Sequence, residues 1–224
     1  MVMSVRMQKV AIVVLSGAVL VMAGLVLYNF VTPRSETETP RTAAERQILD
    51  ARLAVKQAPG SLKGRLELAA ALAAAGNYRA ALDQTERALV INPKAAEGAR
   101  IKGAIYAKMG ETGQAVVWLK KAAASRNQMA EFYAGVYAEL GKVYEDSGRA
   151  GLAIKAYRDA LRYLPMTADI YKDLGRLYEQ AGRLEDARRA FNSAYSFDTE
   201  DLSSLEAVKR LDRQLRQNQK SGGR

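Results

Sequence analysis

Two adjacent carboxylate pairs, Glu145/Asp146 and Glu185/Asp186, come nearest in type and spacing to general acid–base chemistry. Neither has the partners that such chemistry needs. The 224-residue sequence contains no histidine and no cysteine. That removes the commonest metal ligands, the thiol nucleophile and the usual neutral-pH proton shuttle. No nucleophile–base pair, GxxxxGKS/T phosphate loop or GxGxxG after a strand is present. Both acidic pairs fall on faces that the apolar pattern leaves to solvent. The expectation is a protein that is not an enzyme and uses no cofactor and no metal.

Charge is the other chemical resource. The formal net charge is +10. Between positions 62 and 130, eleven lysines and arginines face five acids; between 131 and 199, ten face eleven. A basic first half attracts acidic partners, anionic lipid or nucleic acid, although a solvated helical surface rich in lysine and arginine accounts for it equally. The lone tryptophan, Trp118, reads as packing between helices rather than a binding anchor. Phe132, Tyr133 and Tyr137 cluster within six residues and read either as an exposed aromatic contact patch or as packing that absorbs an insertion there.

The elements that must position these residues begin with an apolar run. Residues 1–9 form a short basic tail with Arg6 and Lys9, and residues 10–31 then carry no charge. Twenty-two helical residues at about 1.5 Å each reach roughly 33 Å, enough to cross a bilayer core. Val21-Met22-Ala23 is an acceptable small-residue cleavage site, but the apolar run continues past it, so a retained anchor is favoured over a cleaved signal. Arg6 and Lys9 on one side nearly balance Arg34, Arg41 and Arg46 on the other, but a short basic head before a first apolar run favours a cytoplasmic amino terminus over the reverse. The rest of this single-pass membrane protein, in an inner or plasma membrane, then stands outside the cytoplasm. Residues 32–41, with two prolines, read as a polar linker.

Beyond the linker, one pattern recurs. Gly141, Tyr144, Gly148, Ala153, Tyr157, Ala160 and Pro165 describe two amphipathic helices joined by a turn. Leu174, Gly175, Tyr178, Gly182, Ala187, Phe191 and Ala194 repeat it 34 residues later. Gly103, Tyr106, Gly110, Ala115, Leu119 and Ala122 match upstream, and Leu68, Leu72, Gly76, Ala81 and Ala88 match before that. The step from Gly103 to Gly141 is 38, so residues 130–133 are additional. They either lengthen a helix or bulge a loop.

This period and these residue types resemble the tetratricopeptide repeat family. The resemblance implies an all-α, right-handed superhelical solenoid of four hairpins, at 62–95, 96–129, 134–167 and 168–201. A half-repeat at 42–61 caps it at one end and a helix at 202–216 at the other, and 217–224 is a disordered tail. Small residues at the eighth, twentieth and twenty-seventh places of each repeat let helices approach closely. Larger residues at the eleventh and twenty-fourth fill the space between them.

The resemblance also implies a groove lined by the first helix of each repeat. Its partner-binding residues are then Lys63; Arg100, Ala104, Ala107 and Lys108; Lys142, Glu145 and Asp146; and Lys172, Arg176 and Glu179. Such a lining suits an extended acidic segment of a protein partner. The lysine–asparagine clamp of chaperone-adaptor members is absent, since Leu66 and Ala70 stand at two of its places. The implied function is a membrane-anchored scaffold that recruits or positions a partner protein. A structural or accessory subunit of a membrane complex is the alternative. Anionic-lipid or nucleic-acid binding ranks below both.

Overall fold

The computed structural model describes residues 42–222, with side-chain detail through 220. The expected tail, membrane span and linker at 1–9, 10–31 and 32–41 lie outside the described residues. Among the described residues no helix is long and apolar enough to cross a membrane.

Ten helices follow one another among the described residues. They are α1 Ala43–Gln57, α2 Leu62–Ala74, α3 Tyr78–Ile91, α4 Ala96–Lys108, α5 Thr112–Ala123, α6 Ala130–Asp146, α7 Ala150–Tyr163, α8 Ala168–Gln180, α9 Leu184–Phe197 and α10 Leu202–Gly222. Each packs chiefly on its neighbours in sequence. The hairpins α2–α3, α4–α5, α6–α7 and α8–α9 therefore stack as an all-helical solenoid, each burying what its neighbour leaves open.

Local chemistry explains the segmentation. Ser61 caps α2, its Oγ accepting from the Gly64 N–H at 3.1 Å. The four hairpin turns each contain a glycine with φ between 69° and 79°: Gly76, Gly110, Gly148 and Gly182. At this left-handed position the following N–H reaches back to close the helix, as in Arg149 N–H to Tyr144 O at 2.8 Å. Asn127, where two other repeats have proline, takes φ 63° in the loop before α6. Asn tolerates that conformation better than most residues.

Packing rests on the small residues. Ala81, Ala115, Ala153 and Ala187 at the twentieth places, and Ala88, Ala122, Ala160 and Ala194 at the twenty-seventh, are all 0% exposed. At the eighth places, a Cβ on Gly103 would lie 2.7 Å from Leu119 Cγ. One on Gly141 would lie 2.6 Å from the Tyr157 ring, and one on Gly175 2.9 Å from the Phe191 ring. The first repeat solves the same contact differently. Ala69 stands at its eighth place and Thr85 at its twenty-fourth, both fully buried. The Thr85 hydroxyl is satisfied by the Ala81 carbonyl at 2.8 Å.

Two boundaries differ from those expected from spacing. The third repeat's first helix begins at Ala130 rather than Ala134, because residues 130–133 add one turn to it. The C-terminal helix runs on through Gly222, past the expected stop at 216, so residues 217–222 are helical. Nothing in that stretch breaks a helix: it has no proline, and its first glycine is Gly222. Ser204, Ala207 and Leu211 bury α10 against the last hairpin. Asp201 caps α10, accepting from the hydroxyls of Ser203 and Ser204 at 2.5 and 2.6 Å. These bonds hold its carboxyl low, at about 2.

Two glycines of α6 separate packing from propensity. Gly141→Ala should lower stability by about 1–3 kcal/mol, because Tyr157, 1% exposed, cannot retreat. Gly135→Ala meets nothing within 4 Å and should raise it by about 0.5–1 kcal/mol. Urea midpoints of the two variants check this; shifts of the same sign would contradict it.

Candidate partner-binding surface

The first helices α2, α4, α6 and α8 carry the expected groove residues, and the structure shows what each cation does. Lys63 is almost fully exposed and pairs weakly with Glu67 at 3.8 Å. Arg100 is held by Glu97 at 2.7 Å and by Glu139 of α6 at 2.5 Å. Lys142 pairs with Asp146 at 3.0 Å and Glu145 at 3.6 Å. Lys172 pairs with Asp169 at 2.8 Å and with Asp201, beside α10, at 3.6 Å. Arg176 donates to Asp173, and Glu179 accepts from Arg210 of α10 at 2.8 Å. Lys108 is exposed and has no acidic partner among the described residues. Ala104 and Ala107 are half-buried.

These pairs join successive first helices. Arg100–Glu139 links α4 to α6, and Arg210–Glu179 links α8 to α10. Between α6 and α8 the link runs through α7: the Tyr157 hydroxyl donates to Glu145 Oε2 at 2.9 Å and also faces Asp173. The groove is thus close to charge-balanced on its own. The acids responsible, Glu97, Glu139, Asp169 and Asp173, were not singled out from the sequence. Three of them carried a signal, since Glu97/Arg100, Asp169/Lys172 and Asp173/Arg176 all stand three residues apart on a helix face; Glu139 did not.

Burial and pairing pull the acidities in opposite directions. Loss of water raises the Glu139 carboxyl, and Arg100 opposes the rise. Burial likewise raises Asp173, against the pull of Arg176. A hydrogen bond from Lys142 to Asp146 holds the Lys142 ammonium charged to higher pH. Tyr157, buried and facing two carboxylates, keeps its phenolic proton well above its ordinary range.

Phe132, Tyr133 and Tyr137 are half-buried, which fits packing around the additional residues rather than an exposed patch. The extra turn of α6 lays them against the end of α7. Tyr133 and Tyr137 both stack on Tyr163, with ring centres 5.0 and 5.8 Å apart, and Phe132 meets Tyr133 edge-on. The Tyr133 hydroxyl donates to the Ser125 carbonyl at 2.7 Å. Trp118 packs on the core between two ammonium groups, Lys102 at 4.4 Å and Lys121 at 4.7 Å from the ring centre. Lys102 is 8% exposed and is neutralised by Glu86 at 2.9 Å.

Comparison with known proteins agrees with this geometry. The tetratricopeptide repeat family model matches residues 138–201, and the fold is an all-helical tetratricopeptide-repeat solenoid. Among solved structures, MamA aligns with a TM-score of 0.60 and 22% identity, over 74% of this chain and 99% of its own. PilW, described as a widely conserved type IV pilus biogenesis factor, aligns at 0.64 and 20%, over 78% and 86%. YrrB, described as a repeat protein with an unusual peptide-binding site, aligns at 0.57 and 16%, over 72% and 81%. No curated protein sequence matches the chain.

The raised Asp173 acidity has a checkable consequence. An acid whose folded pKa is raised binds its proton more tightly in the native state, so stability rises as pH falls through that folded value and levels off below the unfolded one. Asp173→Asn, which imitates the protonated form, should raise stability at pH 7 by less than about 1 kcal/mol. The difference should vanish on acidification toward the unfolded aspartate range. Urea titrations across that pH range would show it, and a constant difference would contradict it.

Proposed function

We propose that this protein is a non-enzymatic scaffold, tethered by residues 10–31, whose first-helix surface holds an extended segment of a partner protein at the membrane. The observation that carries this reading is the division of labour within each repeat. Small residues at the eighth, twentieth and twenty-seventh places are spent on nesting, which leaves the polar faces of α2, α4, α6 and α8 free for another molecule. Tetratricopeptide repeats serve as protein-interaction scaffolds, and the peptide-binding description of YrrB supports the same use here. The absence of histidine and cysteine, and the pairing of the groove carboxylates with cations, support a non-catalytic role. The uncharged run at 10–31 supports the anchor, and Arg6 and Lys9 before it support a cytoplasmic amino terminus with the repeats on the far side.

Pairing within the groove bears on which partner would suit it. Most of its cations are already paired, so an acidic segment there must compete with internal carboxylates. Lys108, without an acidic partner among the described residues, the weakly paired Lys63 and the half-exposed Arg176 are the groove cations an incoming segment can engage. A second reading, an accessory subunit built permanently into a complex, is favoured by exposed apolar residues on the second helices: Val90 of α3 at 82% and Val117 of α5 at 60%.

Lys108→Glu combined with Arg176→Glu should weaken partner capture in pull-downs by about tenfold or more, with helicity by circular dichroism unchanged. Unaltered capture would remove the groove from the account. Loss of capture on replacing Val90 and Val117 by serine instead would select the accessory-subunit reading. Protease accessibility of the repeats in intact cells tests their side of the membrane.

A further inference from the structure

A second charged feature lies away from the first-helix groove. Between α7 and α9, with α8 as its floor, the last two repeats form a cleft of about 480 Å³. Four arginines line it: Arg158 and Arg162 from α7, and Arg183 and Arg189 at the start of α9. None of the expected groove residues lines it.

The charge balance here differs from the groove. Asp186 is the one carboxylate in the lining, and it holds two of the arginines. It accepts from Arg183 Nε at 2.8 Å and Arg189 Nη2 at 2.5 Å. Both guanidiniums keep that carboxyl below its ordinary range, so it stays ionised. The Arg183 guanidinium also lies 4.5 Å from the centre of the Tyr178 ring, which orients it. Arg162 reaches only Asp159, at 3.7 Å, with its side chain 80% exposed. Arg158 is exposed and has no acidic partner among the described residues. Two of the four guanidinium forks are therefore open, beside the half-buried Tyr171; Leu174 beneath is buried, and Arg183 covers the Tyr178 ring.

Guanidinium forks match carboxylates in bidentate geometry, and four arginines against one carboxylate give this surface a field that favours an anionic segment. The part-exposed ring of Tyr171 gives one uncharged side chain a surface to pack on between the carboxylates. A volume of this size admits a few side chains. The open cations are two, four residues apart on α7, a footprint that suits a short segment rather than the breadth of a duplex or a bilayer surface. We propose that the α7–α9 cleft is a second docking site, specific for an acidic peptide segment of a partner protein in which carboxylates flank an apolar or aromatic side chain. It shares α8 with the groove but none of the groove residues, so the two sites can be tested separately.

The test uses the full-length protein in mild detergent and a fluorescein-labelled Asp-Glu-Phe-Glu-Asp peptide, followed by fluorescence anisotropy at low and moderate salt. Arg158→Glu with Arg162→Glu should weaken binding at least tenfold. Lys108→Glu with Arg176→Glu, in the groove, should change it less than twofold, and replacing the peptide's acids by glutamine should abolish it. Both arginines are exposed, so the variants should keep wild-type helicity. No peptide binding by the wild type, or equal weakening by the two variant pairs, would overturn the proposal. So would cleft-dependent binding of phosphatidylglycerol vesicles or heparin without binding of the peptide. A groove that captures its partner normally while the peptide result fails would sink this site alone.

Discussion

Helix spacing in this solenoid depends on a steric exchange between two places in each hairpin. In the second, third and fourth repeats a leucine, tyrosine or phenylalanine from the second helix occupies the volume that a Cβ would need on the first. Glycine at the eighth place is thus a packing requirement, distinct from the left-handed glycines of the turns. The first repeat has alanine at that place and the smaller threonine at the twenty-fourth, so a Cβ on the first helix goes with a smaller side chain on the second. Once that distance holds, the alanines at the twentieth and twenty-seventh places lose all contact with water, and each hairpin can seat the next.

Charge is distributed on top of this frame in two different ways. Along the first helices, cations are matched to acids within a helix and across repeats, as in Arg100 with Glu97 and Glu139. Those pairs tie first helices together and leave little unbalanced charge for a ligand. On the side of the second helices, arginines outnumber carboxylates in the α7–α9 cleft. The last two repeats, nearly neutral in sequence, thereby present a local excess of positive charge. Net charge over a stretch of sequence is a poor guide to field at a surface, because helices sort one composition onto opposite faces.

The aromatic residues around the additional turn show the same sorting. Phe132, Tyr133 and Tyr137 read either as a contact patch or as packing while the four extra residues had no assigned conformation. With those residues wound into α6, the rings fall over Tyr163 and become part of the hairpin. Trp118 resolves in a related way, as a platform for Lys102 and Lys121 on the core.

The 34-residue period, the turn glycines, the small residues at three places and the lack of histidine and cysteine were all legible in the chain. They suffice for an all-helical repeat array, because turn conformation and helix approach depend on residues a few positions apart. The i, i+3 acids beside the groove cations were equally legible and went unread. Arg100–Glu139, Arg210–Glu179 and the Arg158–Arg189 cleft join residues about thirty or more positions apart, and no local pattern marks them. Their meeting depends on the angle and rise between hairpins, which follow from the packed volume of the whole core. Sequence alone therefore determined that helices nest and leave polar faces outward; the tertiary stacking decided which charges cancel and which remain for a partner.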